Sequence, residues 1–133
     1  MHILVTGGAG FIGSHLTERL IGDGHTVTAL DDLSTGLMSN LSSVADHPGF
    51  TFVKGSILDR QRVADLVGPA DVGFHLAAAV GVKLIMDEPS RSILTNVAGT
   101  EKVLDAALVD KTHTFIAASS EVYGKSTNFP FQE

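Results

Sequence analysis

Thr6-Gly7-Gly8-Ala9-Gly10-Phe11-Ile12-Gly13 is the stretch on which the fold turns. Its glycines are spaced Gly7-x-x-Gly10-x-x-Gly13, directly after the apolar run His2–Thr6 and directly before residues 11–21, a segment of helical period. In that segment Ile12, Leu16 and Leu20 fall on one stripe, the pattern of an amphipathic helix. A tight strand-to-helix turn needs a residue free to take positive φ. A pyrophosphate needs backbone N–H groups at a helix N-terminus that it can approach closely. The last glycine of such a series lets the helix pack close to the strand. Asp31 follows at the end of a second strand, 18 residues past Gly13. A carboxylate there accepts hydrogen bonds from an adenosine ribose and repels a 2′-phosphate, which selects NAD over NADP. The plain alternative is a tight turn followed by a loop aspartate.

Outward from this turn, short apolar runs alternate with helical segments. Strands are expected over residues 2–6, 26–30, 50–53, 72–76 and 114–118. Residues 33–49 are polar and irregular, with at most one helical turn near 41–46. Residues 59–67 form a short helix capped by Asp59 and ended by Gly68-Pro69. Pro89 sits where a first-turn proline belongs, and the helix it opens carries Ile93, Val97, Thr100, Leu104 and Leu108 on one face. Strands that are apolar throughout, separated by helices, predict an α/β fold. The expected form is a doubly wound parallel sheet (Rossmann) in the order 3-2-1-4-5, ending after strand five.

The chain has 133 residues, enough for one domain, and 44% of them are hydrophobic, which excludes global disorder. A net charge of -6 with no basic block argues against nucleic acid as a partner. With no cysteine there is no disulfide framework or thiolate metal site. The six histidines are scattered without metal-ligand spacing, so no metal is expected. His75, on an apolar strand, reads as a hydrogen-bonded core histidine. The most apolar stretch, 72–86, is interrupted by His75 and Lys83 and is too short to span a bilayer. No signal-peptide pattern precedes the first strand, so a cytoplasmic protein without membrane contact is expected.

Five ordered motifs carry a family resemblance. They are TGGAGFIGSHL from Thr6, Asp31-Asp32-Leu33, His75-Leu76-Ala77-Ala78, Thr95-Asn96-Val97-Ala98-Gly99-Thr100, and Ser119-Ser120-Glu121-Val122-Tyr123-Gly124. Together they resemble the extended short-chain dehydrogenase/reductases that act on nucleotide sugars, a group of 4-epimerases, 4,6-dehydratases and UDP-glucuronate decarboxylases. The resemblance implies that Gly7, Gly10, Phe11, Ile12 and Gly13 cradle the NAD pyrophosphate. It places Asp31 and Asp32 at the adenosine ribose, with Ser34, Thr35 and Gly36 beside it. Ser56 and Ile57 would line the adenine pocket, with Ser56 standing where many members have Asp. Leu76, Ala77 and Ala78 would pass beneath the cofactor, and Asn96 would organise backbone on the nicotinamide side. Ser119 matches the catalytic Ser/Thr, and Glu121 the glutamate that dehydratases and decarboxylases place near the sugar's C5.

The resemblance implies a 4-keto sugar intermediate, with a UDP-sugar 4-epimerase as the first reading. UDP-glucuronate decarboxylase and sugar 4,6-dehydratase are the alternatives. The family's chemistry also needs a Tyr-x-x-x-Lys pair. The one tyrosine, Tyr123, has Thr127 four residues on, so it matches the family's Val-Tyr-Gly tyrosine instead. The chain alone is therefore expected not to turn over substrate, and a non-catalytic dinucleotide-binding module is the competing reading. With the strand-five edge bare, Val97, Leu104 and Leu108 are expected to face solvent or another subunit, and the chain to pair with itself or with a C-terminal segment.

Overall fold

The computed structural model describes residues 1–124, so the segment 125–133, to which the sequence assigns no role, lies outside the described residues. Five parallel strands run in the order β3-β2-β1-β4-β5. They are β1 His2–Thr6, β2 Thr26–Asp31, β3 Phe50–Lys54, β4 Val72–His75 and β5 His113–Ile116. The order is the one expected. The fifth strand ends two residues early, at Ile116, so Ser119 stands on a loop beyond it.

Alternation along β1 divides the core in two. Ile3 and Val5 point to one face, where they pack with Ala9, Ile21, Val27, Leu41 and Val44. Leu4 points to the other, joining Leu30, Ile57, Val63, Val67, Val103 and Ala107. Helix α1 (Phe11–Gly22) and a 3₁₀ turn (Met38–Leu41) cover the first face. Helices α2 (Arg60–Val67) and α5 (Thr100–Asp110) cover the second. Asp59 caps α2 as expected, its side chain accepting the Arg62 N–H. That bond, reinforced by the Arg62 side chain, holds the Asp59 carboxyl below the usual range.

The two apolar stripes read from the sequence do not mark the buried faces of their helices. In α1 the buried residues are Gly13, Ser14, Thr17 and Ile21, while Ile12 is 69% exposed. The helix rides so close to the sheet that only small side chains fit between, and Leu16 and Leu20 pack at its flank. The segment after Pro89 is not one regular helix. It runs as α4 (Pro89–Ile93), a π turn (Leu94–Gly99) and α5, preceded by a short α3 (Val82–Asp87). The wide turn re-phases the helix. Ser92, Gly99, Val103, Ala106 and Ala107 become the buried set, and Ile93, Val97, Leu104 and Leu108 are exposed.

Candidate functional site

The C-terminal ends of the strands open onto a cavity of about 700 Å³. It lies where the chain leaves β1 for β2 on one side and β4 for β5 on the other, the switch point at which open α/β sheets bind ligands. Gly7, Gly10, Phe11, Ile12 and Gly13 form one wall. Asp31, Asp32, Ser34 and Thr35 follow from the end of β2, and Ser56 and Ile57 from the loop after β3. Leu76, Ala77, Ala78, Asn96 and the exposed Ser119 complete the set of sequence-predicted residues on the lining. Gly36 is not among them. It is buried under the glycine loop, where an added Cβ would stand 2.9 Å from the Ala9 carbonyl carbon. Glu121 falls in the 3₁₀ turn Ser120–Tyr123, and its side chain lies outside the described residues.

The glycine loop fits a closely approaching ligand because backbone already fills the space side chains would need. Gly7 has φ +73°, and a Cβ on it would lie 2.7 Å from the Ala77 nitrogen. At Gly13 a Cβ would lie 2.1 Å from the Gly7 oxygen. Gly10 is the N-cap of α1 and offers no side-chain cap, so the helix's first N–H groups are open to an anion.

Asp31 anchors the far end. Its Oδ2 accepts the Ala9 N–H at 3.0 Å and its Oδ1 the Leu33 N–H at 2.8 Å. Each carboxylate oxygen retains a second acceptor position for a hydroxyl of the ligand. The neighbouring Asp32 is exposed and accepts the Ser34 N–H at 2.9 Å. Leu33 between them takes a left-handed conformation, φ 61°, which the two carboxylate bonds hold in place. Ser56 Oγ accepts the Leu58 N–H at 3.2 Å, so its oxygen is partly committed to its own loop.

Across the cleft, Asn96 meets the backbone of Ala79 twice. The Ala79 N–H donates to Oδ1 at 2.7 Å, and Nδ2 donates to the Ala79 carbonyl at 3.0 Å. Asn96 thus clamps the Ala79 backbone from within the π turn.

Sequence reasoning passed over several lining residues. Arg91 and Thr95 face the cavity one helical turn apart, and Arg91 is the only lysine or arginine among the described lining residues. It is half exposed and donates to Glu88 Oε2 at 3.1 Å. The i,i+4 spacing of Arg91 and Thr95 was the available signal, obscured by the apolar stripe beside it. His75 and Thr100 also reach the lining. Among the described residues no group of three or more His, Cys, Asp or Glu could hold a metal ion, and no helix is long and apolar enough to cross a membrane.

Known proteins resemble this chain in sequence and in fold. A UDP-N-acetyl-alpha-D-glucosaminuronate decarboxylase of Bacillus cytotoxicus is 45% identical over 130 residues, 98% of this chain and 40% of that protein. A UDP-glucose 4-epimerase of Mycolicibacterium smegmatis is 43% identical over 140 residues, 100% of this chain and 44% of that protein. The chain therefore spans about two-fifths of the length of these curated relatives. Among solved structures, the UDP-glucose 4-epimerase from Brucella ovis in complex with NAD superimposes with a TM-score of 0.85 at 33% identity. That match covers 99% of this chain and 40% of that one. Residues 3–133 match the NAD dependent epimerase/dehydratase family, and the chain belongs to it.

Proposed function

We propose that residues 1–133 form the NAD-binding portion of an enzyme that converts a UDP-sugar through a 4-keto form, as a 4-epimerase. The observation that carries this reading is the pairing of an uncapped helix N-terminus behind Gly7 and Gly13 with the Asp31 carboxylate in one cavity. NAD, when bound, supplies a reversible hydride acceptor. Gly7, Gly10, Phe11, Ile12 and Gly13 would hold its pyrophosphate, Asp31 its adenosine ribose, and Ser56 and Ile57 its adenine. Ala77 and Ala78, with their small side chains, allow the cofactor close to the sheet. Ser119 stands at the β5 end of the cavity and would hydrogen-bond the sugar oxygen that becomes a ketone. Arg91 would offset ligand phosphate charge in a lining that otherwise carries two carboxylates.

UDP-glucuronate decarboxylase is the second reading, favoured by the 45% identity to a decarboxylase. Titration calorimetry with NAD and NADP tests the shared claim. Binding of NAD with much weaker binding of NADP is expected, and no NAD binding would overturn it. Incubating NAD and either UDP-glucose or UDP-glucuronate with the whole enzyme of which residues 1–133 would form a portion then separates the two: UDP-galactose formation supports the epimerase, and CO₂ release the decarboxylase.

A further inference from the structure

His75 is 4% exposed, lies at the end of β4 and has no role in the site as described. Its ring is held between two hydroxyls. Nδ1 is 2.7 Å from Thr6 Oγ1, and Nε2 is 2.9 Å from Thr100 Oγ1. The other commitments of those hydroxyls settle which way each bond runs. Thr100 Oγ1 donates its single proton to the Asn96 carbonyl at 2.8 Å. It can therefore only accept from His75, whose Nε2 carries a proton. Thr6 Oγ1 accepts the Ala77 N–H at 3.3 Å, leaving its own proton for Nδ1.

One directed chain results. It runs from the Ala77 N–H through Thr6, His75 and Thr100 to the Asn96 carbonyl, with every member paired. An imidazolium breaks it, because a proton on Nδ1 turns the Thr6 hydroxyl proton away from the ring. Burial pushes the His75 pKa down in the same sense. Both ends of the chain touch the cavity wall. Ala77 is part of that wall, and Asn96 clamps Ala79 further along it. The Asn96 carbonyl lies in the π turn, and the Thr100 hydroxyl donates to it there.

We propose that His75, as a neutral imidazole protonated at Nε2, is a positioning residue: it fixes the Asn96 peptide against the ends of β1 and β4, and through the Asn96 amide sets the Ala77–Ala79 backbone beside which the cofactor binds. The last step rests on the dinucleotide reading of the cavity; the placement of the wall does not.

Long-range ¹H–¹⁵N spectra of the full chain at neutral pH read the His75 tautomer directly. A neutral ring with its proton on Nε2 is expected, and an Nδ1–H ring or an imidazolium would overturn the proposal. Thr100→Val removes the acceptor with little change of shape, and Thr100→Ser restores it. In the valine variant the Ala79 amide should exchange roughly five- to tenfold faster, and NAD affinity should fall by about the same factor. Core amides such as that of Leu4 should be unchanged, and the serine variant should recover both losses. Ala79 exchange that ignores Thr100→Val would overturn the positioning role. An Ala79 response in a chain that binds no NAD would uphold the positioning role and overturn the dinucleotide reading alone.

Discussion

Asp31 and Ala9, 22 residues apart, are joined by a 3.0 Å hydrogen bond from the Ala9 N–H to the Asp31 carboxylate. The bond ties the glycine loop to the end of the neighbouring strand. The residue proposed for the ribose therefore also holds the glycine loop in place. Asp31→Ala should weaken NAD binding by about 1–3 kcal/mol and lower folding stability by a similar amount, since two backbone N–H groups lose their acceptor. Calorimetry and urea unfolding of the same variant check the two effects. Lost affinity with full stability would separate them.

Gly13 is intolerant of any side chain. A Cβ would lie 2.1 Å from the Gly7 oxygen, and backbone cannot step aside cheaply. Gly13→Ala should push α1 off the loop and cost about 1–3 kcal/mol, the range for overpacking. Thermal unfolding reads the loss, and NAD affinity should fall with it. Gly22→Ala is the control. No atom lies within 4 Å of its added Cβ, so the helix should be unaffected or slightly firmer.

Thr17 is fully buried in α1, and its hydroxyl has no hydrogen-bond partner. Thr17→Val keeps the shape and removes an unpaired polar group from the face against the sheet. It should raise stability by about 1 kcal/mol, seen as a shift of the urea midpoint at constant slope.

Lys111 closes α5 in a left-handed conformation, φ 56°, that favours glycine. The Thr112 N–H bonds back to the Ala107 carbonyl at 3.0 Å, so the chain turns here whatever the residue. Lys111→Gly should therefore stabilise by about 0.5–1 kcal/mol, the reverse of the usual penalty for glycine. A lower melting temperature would contradict it.

Acid should act through His75. Its pKa in the folded protein lies below the ordinary 6.5 because burial disfavours the charged ring. As pH falls through that ordinary value the unfolded chain takes up a proton that the native ring refuses, and stability drops. The loss levels off once the native ring also titrates. Urea unfolding between about pH 7.5 and pH 5 should show a shallower decline in His75→Gln than in the parent protein.

The strand order and the wall of glycines were legible because both follow from local rules: apolar runs give parallel strands, and the turn before Phe11 admits few residue types. Asp31 was legible from its place at a strand end. The apolar stripe of Ile12, Leu16 and Leu20 does not mark the buried face of α1, because Gly13, Ser14 and Thr17 permit the close approach and Ile12 stands on the cavity lining. Ile93, Val97, Leu104 and Leu108 have regular helical spacing, and nothing in that spacing announces a π turn. The bonds of His75 to Thr6 and Thr100 join residues 69 and 25 positions away, which no local pattern encodes.

The π turn sets a constraint on chain length. Asn96 must meet Ala79 while Val103 enters the core, and the widened turn reconciles the two. Removing one residue from Leu94–Gly99 would rotate everything after it by about 100°. Either the amide would leave Ala79 or the valine would leave the core. Among diverging copies of this domain, insertions and deletions should collect in the loop between β2 and β3, and the count of residues from Asn96 to Val103 should hold even where the residues themselves change.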